Sequence, residues 1–122
     1  MNNHWRIAIA STDGKVVNEH FGRADSFLIV DIFHDGTYKL VETRSVTPLC
    51  NDGEHTEDSM FYSVMALNDC TAVVVARIGM TAKKALEINK ISVFEITDYI
   101  DIVIKKLFDY FRKTNYSKTE DI

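Results

Sequence analysis

The chain has 122 residues, of which 46% are hydrophobic and 26% are charged. This composition is typical of one globular domain with its own core and excludes intrinsic disorder for the body of the chain. No apolar run approaches the roughly 20 residues that a bilayer-spanning helix needs. The polar start from Met1 to Arg6 does not resemble a signal peptide, so we expect a cytoplasmic protein.

Charge is unevenly distributed along the chain. Fourteen Lys and Arg residues against eighteen Asp and Glu residues give a formal net charge of −4. This balance argues against nucleic-acid binding, because phosphate backbones are bound by basic faces. The segment from Cys50 to Cys70 contains five acids and no Lys or Arg, and so predicts an acidic patch. These acids are Asp52, Glu54, Glu57, Asp58 and Asp69.

Hydrophobic periodicity predicts eight elements in the order β-β-β-α-β-α-β-α. Asp35-Gly36 is a turn sequence, so the second and third strands are expected to form an antiparallel hairpin. Thr56 and Thr97 are expected to cap the first and last helices. The predicted strands cover 6–11, 27–32, 38–46, 71–76 and 91–96, and the helices cover 57–68, 79–89 and the segment after Thr97. A hairpin followed by alternating strands and helices predicts an α/β fold with a mixed sheet and helices on its faces.

We expect a single domain over 1–112 and a polar tail over 113–122. Each predicted helix carries an apolar stripe that should face the core. The stripes are Met60, Phe61, Val64, Met65 and Leu67 in the first helix, Ala82, Ala85, Leu86 and Ile88 in the second, and Ile100, Val103, Ile104, Leu107 and Phe111 in the last. The apolar strand 71–76 is typical of a strand buried on both faces. Cys70, beside it, is expected to be a core thiol.

The first candidate site residue is His20. Ligands of open α/β sheets bind beyond the carboxyl ends of the parallel strands, and three loops leave those ends here, at 13–25, 77–81 and 97–98. His20 lies in the longest of them, and long loops in compact domains are typically functional. Two interpretations stay open. His20 hydrogen-bonds the loop to itself, with Phe21 inserted into the core, or its imidazole is a metal ligand and Gly22 leaves room for a bulky ligand.

Several basic residues and a second cysteine accompany this loop. Lys15, Arg23 and Arg77 are expected at the same end of the sheet, although each base taken singly is also explained as a solvated surface charge. The backbone amides of 79–81, at a helix start, favour an anion. Cys50 lies in a polar loop with no apolar reason for its position, and together with His55 it forms a weak metal-binding pattern.

Enzyme motifs are missing from the sequence. There is no G-x-S-x-G, no G-x-x-x-x-G-K and no G-x-G-x-x-G. A two-metal nuclease needs converging carboxylates, and the first strand carries none in its middle. The strand 71–76 ends in Ala-Arg, whereas a phospho-acceptor domain needs acids at strand ends. The sequence therefore favours binding over catalysis.

Three segments together resemble a known family. The run Arg6-Ile-Ala-Ile-Ala-Ser11 is followed by Gly14-Lys-Val-Val-Asn-Glu-His-Phe-Gly-Arg-Ala24 and then by Phe27-Leu-Ile-Val30. These residues resemble the dinitrogenase iron–molybdenum cofactor biosynthesis domain, the family of NifX, NafY and the C-terminal domain of NifB. Ala76-Arg-Ile-Gly79 and Ile91-Ser-Val-Phe94 resemble the second signature of that family, so the resemblance covers about 6–111.

The resemblance implies both a fold and a function. The implied fold is a ribonuclease-H-like three-layer sandwich with a five-stranded mixed sheet. The implied function is non-enzymatic carriage of the iron–molybdenum cofactor or an iron–sulfur precursor cluster between donor and acceptor assembly proteins, without nucleic acid or membrane, by a monomer or weak homodimer. His20 matches the histidine that the family uses as a cofactor ligand, and Cys50 is the second candidate because thiolates hold iron–sulfur clusters. The resemblance places Phe21, Gly22, Arg23, Arg77 and Gly79 at the same cofactor site.

A second hypothesis belongs to a different class. A regulatory or assembly module would recognise a protein partner through the acidic loop and helix at 52–68, without any metal. A divergent nuclease is a distant third hypothesis, which would be refuted if the protein showed no metal-dependent cleavage of nucleic acid. The acidic run at 52–58 would repel an anionic cluster unless it faces away from the site.

Overall fold

A computed structural model describes residues 4–46 and 57–114 of the chain, with the side chains of 57–59 left out. The strands are β1 (His4–Ile9), β2 (Ser26–Phe33), β3 (Tyr38–Ser45), β4 (Ala72–Val75) and β5 (Ser92–Glu95). The helices are α1 (Glu57–Ala66), α2 (Met80–Ile88) and α3 (Ile100–Thr114), and a short 3₁₀ turn lies at Phe21–Arg23. The predicted element order is confirmed.

The five strands form one sheet in the order β3-β2-β1-β4-β5. β2 pairs antiparallel with both β1 and β3, whereas β1, β4 and β5 run parallel to one another. The hairpin between β2 and β3 turns at Gly36, whose φ of 94° favours glycine. The Asp35 side chain accepts hydrogen bonds from the backbone and hydroxyl of Thr37 and so stabilises this turn. The mixed sheet and the predicted hairpin are confirmed.

Helices cover both faces of the sheet, which creates two cores. On one face, α1 and α2 pack against inward residues such as Ala8, Ile29 and Val73. On the other face, the whole predicted stripe of α3 packs against residues that include Ile7 and Val74. Every residue of β4 is fully buried, as its apolar sequence predicts, because the strand lies in the sheet interior between the two helical layers. The molecule is a three-layer α/β domain.

Three stripe residues do not face the core as predicted. Phe61 and Met65 are 59% and 47% exposed, and Ile88 is 77% exposed. The inward positions are Met60 and Val64 in α1 and Leu67 in the turn directly after it, which follow one another at intervals of four and three residues. Phe61 and Met65 each lie one residue further along, and therefore about 100° around the helix axis. Ile88 lies two residues after the buried Leu86 of α2, on the opposite side of that helix.

Two predicted boundaries also differ. α3 begins at Ile100, three residues after Thr97, so the prediction that Thr97 caps this helix is wrong. Asp98 instead accepts a hydrogen bond from the backbone amide of Tyr99 at 2.7 Å. α3 continues to Thr114 and so includes the first two residues that we assigned to the tail. Thr56 and residues 115–122 lie outside the described residues.

An ionic cluster joins three strands to the turn before β4. Arg6 on β1 bonds both carboxylate oxygens of Asp31 on β2, at 2.8 and 3.0 Å. Arg6 also reaches Asp69 at 3.0 Å, and Arg44 on β3 bonds both oxygens of Asp69 at 2.7 and 3.1 Å. The Arg44 and Arg6 guanidinium groups hold the pKa of Asp69 well below its usual range. Asp69 is therefore an ionised carboxylate that is paired with two arginines, and it does not contribute an unpaired negative charge to an acidic patch.

Candidate functional site

A cavity of about 390 Å³ opens at the carboxyl end of β4. Three segments line it: the start of the 3₁₀ turn, the connection from β4 into α2, and the inward face of α1. The lining residues are His20, Gly22, Arg23, Met60, Arg77, Ile78, Gly79, Met80, Thr81 and Ala82. Five of the seven residues predicted for the site thus lie around one cavity, at the predicted edge of the sheet.

Backbone pairing positions His20 beside Arg77. The two residues form an isolated parallel bridge, in which the amide of Phe21 donates to the carbonyl of Arg77 at 2.8 Å. One residue earlier, the amide of Ala76 donates to the carbonyl of Glu19 at 2.9 Å. The long loop therefore continues the sheet edge for a few residues before it turns, which fixes the position of the His20 backbone.

The His20 side chain takes no part in this backbone pairing. The backbone carbonyl of His20 accepts hydrogen bonds from the amides of Arg23 and Ala24, both at 3.1 Å, and these bonds close the 3₁₀ turn. The imidazole is exposed, and no hydrogen bond or ion pair joins it to another side chain in the described parts of the chain. The loop is thus held by the backbone of His20, while the imidazole stays available for a ligand.

Phe21 anchors the loop in the core. Its side chain is 3% exposed, and its ring centroid lies 5.8 Å from that of Phe27 on β2. The predicted insertion of Phe21 into the core is therefore confirmed, although it does not exclude a ligand role for the neighbouring His20. His20, the residue before Phe21, is exposed and lines the cavity.

The charged side chains in the described lining of the cavity are mainly positive. Arg23 and Arg77 are both exposed, and neither forms an ion pair with a side chain that the structure describes. No Asp or Glu is among the described lining residues, although the Glu95 carboxylate accepts a hydrogen bond from the amide of Ile78 at 3.1 Å. α2 begins at the cavity with Gly79 in the N-cap position, without a capping side chain and without an acid in its first turn. The amides and the positive dipole end of α2 therefore add to the two guanidinium groups, and together they favour an anion.

Lys15 follows the carboxyl end of β1, at the expected end of the sheet, but it lies on the α3 side and does not line this cavity. Its carbonyl accepts a hydrogen bond from the amide of Ile100, and Val17 donates to the carbonyl of Asp98. After the turn at Gly14 the chain thus runs along the start of α3. Lys15 lines a different cavity of about 420 Å³, together with residues such as Leu28 and Tyr99 on the α3 side of the sheet.

The donors for a metal are few in the described part of the cavity. His20 is the sole His, Cys, Asp or Glu among the lining residues, and no group of three such residues is found among the described ones. Cys50 and His55 lie outside the described residues, so their predicted roles stay predictions. Cys70 is buried, and burial together with the neighbouring Asp69 raises the pKa of its thiol to about 12, as expected for a core cysteine.

Sequence reasoning missed the two methionines of the cavity. Met60 was assigned only to the core stripe of α1, and it does pack partly on that core. Met80 is the first residue of α2 and is 66% exposed. The one indication in the sequence was that Met80 falls outside the stripe formed by Ala82, Ala85 and Leu86. The approach of α1 to this cavity is a tertiary feature that no local pattern encodes.

The fold and the cavity define a class of protein: a three-layer α/β domain with an arginine-lined cavity at the carboxyl ends of its parallel strands. Residues 3–110 match the family model described as "Dinitrogenase iron-molybdenum cofactor". The match covers most of the chain, which therefore belongs to this family.

Individual relatives agree with this assignment. The chain is 35% identical over 104 residues to the FeMo cofactor biosynthesis protein NifB of Frankia alni, a match that covers 83% of this chain and 20% of NifB. It is 38% identical over 78 residues to the protein NifX of Sinorhizobium fredii, covering 61% of this chain and 48% of NifX. The chain thus spans about a fifth of the length of the NifB relative and about half of NifX.

Solved structures share the fold. The crystal structure of PH0822 superposes with a TM-score of 0.64 at 30% identity, covering 86% of this chain and 89% of that one. The superposition on the structure of MJ0327 from Methanocaldococcus jannaschii covers 100% of both chains, with a TM-score of 0.54 at 20% identity. No helix within residues 4–46 and 57–114 is long and apolar enough to cross a membrane.

Proposed function

We propose that this chain binds and carries an anionic metal–sulfur cluster, the iron–molybdenum cofactor or an iron–sulfur precursor, during nitrogenase cofactor assembly. The observation that carries the proposal is the convergence of His20, Arg23 and Arg77 on a cavity whose described lining has no carboxylate. Membership of the family and the NifB and NifX relatives support the same cargo.

The residues divide the work of binding. An unprotonated imidazole nitrogen of His20 is a competent ligand for a cluster metal. The two guanidinium groups and the amides at the start of α2 offset the negative charge of the cluster, and Gly22 leaves space for it beside the loop. Phe21 holds the loop in place without touching the cargo. Cys50 remains the proposed second ligand, through its thiolate.

A carrier must also release its cargo, and one protein ligand from the described residues suits that task. One imidazole, even with the proposed thiolate of Cys50 and the aid of electrostatics, binds more weakly than the full set of four thiolates of a resident iron–sulfur centre. We therefore propose transfer between donor and acceptor proteins without a reaction on this chain. We also propose that the protein is cytoplasmic and is a monomer or a weak homodimer. We further propose that the fold is ribonuclease-H-like, which the strand order β3-β2-β1-β4-β5 with an antiparallel β2 supports.

The test is an anaerobic loading experiment. Purified protein is incubated with isolated iron–molybdenum cofactor and desalted, and iron and molybdenum are counted per chain for wild type, His20→Ala and His34→Ala. His34 is an exposed histidine at the hairpin, away from the cavity, and serves as the matched control. We expect the wild type and His34→Ala to retain metal and His20→Ala to lose most of it, with an unchanged unfolding midpoint. Equal retention by His20→Ala would remove His20 from the site, and no retention by wild type would refute carriage.

A second candidate function is recognition of a protein partner through the acidic segment 52–68. The observation that favours it is the outer face of α1, where Phe61, Tyr62 and Met65 are all exposed. Neutralising Glu54, Glu57 and Asp58 together should abolish co-purification of a partner without changing metal retention. Loss of metal in that variant, with the partner still bound, would contradict this alternative.

A further inference from the structure

The described lining of the cavity combines two kinds of side chain. Arg23 and Arg77 are cationic, Met60 and Met80 carry thioethers, and no Asp or Glu is among the described lining residues. The two methionines come from different helices, α1 and α2, so that only the folded chain brings both to the cavity. The cavity therefore offers positive charge together with a soft apolar surface.

Met80 makes little contribution to the fold. It is 66% exposed at the first position of α2, whereas the buried residues of that helix are Ala82 and Leu86. Helix initiation does not require methionine at this position, and an exposed apolar side chain gains nothing from water. Its long unbranched side chain and polarizable sulfur can instead adapt to a surface that enters the cavity.

The combination of arginines and methionines affects two kinds of anion differently. A small oxyanion such as molybdate or phosphate needs hydrogen-bond donors around it, and its oxygens would be desolvated without partners against the thioethers. A sulfide-bridged cluster spreads its charge over large polarizable sulfides, which pack against thioether groups at little desolvation cost. The arginines attract both anions, and the thioethers favour only the cluster.

We propose that Met80, together with Met60, determines specificity at this site by packing on the sulfide surface of the bound cluster and disfavouring oxyanions of similar charge. This inference rests on the proposed carrier function. Met80 is the more exposed of the two methionines, and Met60 also packs partly against the core.

The experiment compares two probes, isolated iron–molybdenum cofactor and inorganic molybdate, by anaerobic equilibrium dialysis. Met80→Gln keeps the length of the side chain but makes it polar, and Met80→Leu keeps it apolar without sulfur. Met65→Gln is the matched control, because Met65 is also exposed but does not line the cavity. Arg77→Gln removes charge that both probes use.

We expect Met80→Gln to weaken cofactor binding by about tenfold and to leave molybdate binding unchanged or stronger. Met80→Leu should stay within about threefold of wild type for the cofactor, because it preserves the apolar contact. Arg77→Gln should weaken both probes, and Met65→Gln neither. All four variants alter exposed side chains, so an unchanged unfolding midpoint is the check on folding.

Two results would overturn the inference while leaving the carrier function intact: cofactor binding by Met80→Gln equal to wild type, or parallel losses for cofactor and molybdate. Tighter binding of molybdate than of the cofactor by wild type would also overturn it. If wild type binds no cofactor, the carrier function itself fails and the inference fails with it, a result that the wild-type measurement alone identifies.

Discussion

Replacing Phe21 by alanine should destabilise the whole domain, although Phe21 lies in a loop. The side chain is almost fully buried against Phe27, within the core between the sheet and the α1–α2 layer. Burial of a phenylalanine removes on the order of 150–250 Å² from water, and truncation to alanine in a core costs about 3–5 kcal/mol. A domain of this size is typically stable by about 5–15 kcal/mol, so the loss would be a large fraction of the total.

Urea unfolding monitored by tryptophan fluorescence measures this loss directly. Trp5 is the sole tryptophan, and it is buried on the opposite face of the sheet beside Phe111. It therefore reports global unfolding and not a local change at residue 21. Phe61→Ala is the matched control, since the same truncation at an exposed position should change the free energy of unfolding by no more than about 0.5 kcal/mol. A loss below about 1 kcal/mol for Phe21→Ala, with an unchanged denaturant dependence, would refute the buried-anchor argument.

Two further predictions concern the ionic cluster and the core thiol. Asp69→Asn should lower the free energy of unfolding by about 1–2 kcal/mol at pH 7, a value discounted for partial exposure, as measured by urea unfolding. Arg44 and Arg6 lower the folded-state pKa of Asp69. The contribution of Asp69 to the free energy of unfolding is therefore fully present above its unfolded-state pKa of about 4 and is lost as the pH falls further. If the difference in free energy of unfolding between wild type and Asp69→Asn stays constant from pH 7 to pH 3, this reasoning is refuted. Cys70, with a pKa of about 12, should resist alkylation by iodoacetamide in the native protein at pH 8 and should react after denaturation. Peptide mass spectrometry measures both. Rapid labelling of the native protein would mean that the thiol is accessible and would contradict its assignment to the core.

The sequence predicted those features that depend on local patterns. β4 is a short run of small branched side chains, and α3 has an apolar residue at every inward position, so both elements are determined by their own residues. Asp35-Gly36 likewise determines its own turn, through the positive φ of Gly36 and the hydrogen bonds that Asp35 accepts from Thr37. By contrast, the exposure of Phe61 and Ile88 depends on how far each helix is rotated against the sheet, which is a property of the whole packing.

The candidate site was predictable to the extent that topology fixes it. Both His20 and Arg77 follow strands that run parallel in the sheet, so the rule that ligands bind at the carboxyl ends was sufficient to predict their proximity. The rule specifies an end of the sheet and not a face, and Lys15 lies on the α3 side because the chain crosses to that face after Gly14. Met60 was not predictable as a site residue, since its approach to the cavity depends on how α1 lies over the sheet.

The residues that anchor the loop are separate from those proposed to bind the cluster. The loop is fixed by the hydrogen bonds between its backbone and 76–77 and by the burial of Phe21, so its stability does not depend on the His20 imidazole or on the two guanidinium groups. In the described part of the molecule these exposed cationic side chains have no structural role, so they can exchange solvent for a bound anion. Under the proposed carrier function, binding and release would then require no rearrangement of the core, and substitutions of the exposed residues would change affinity at little cost to folding.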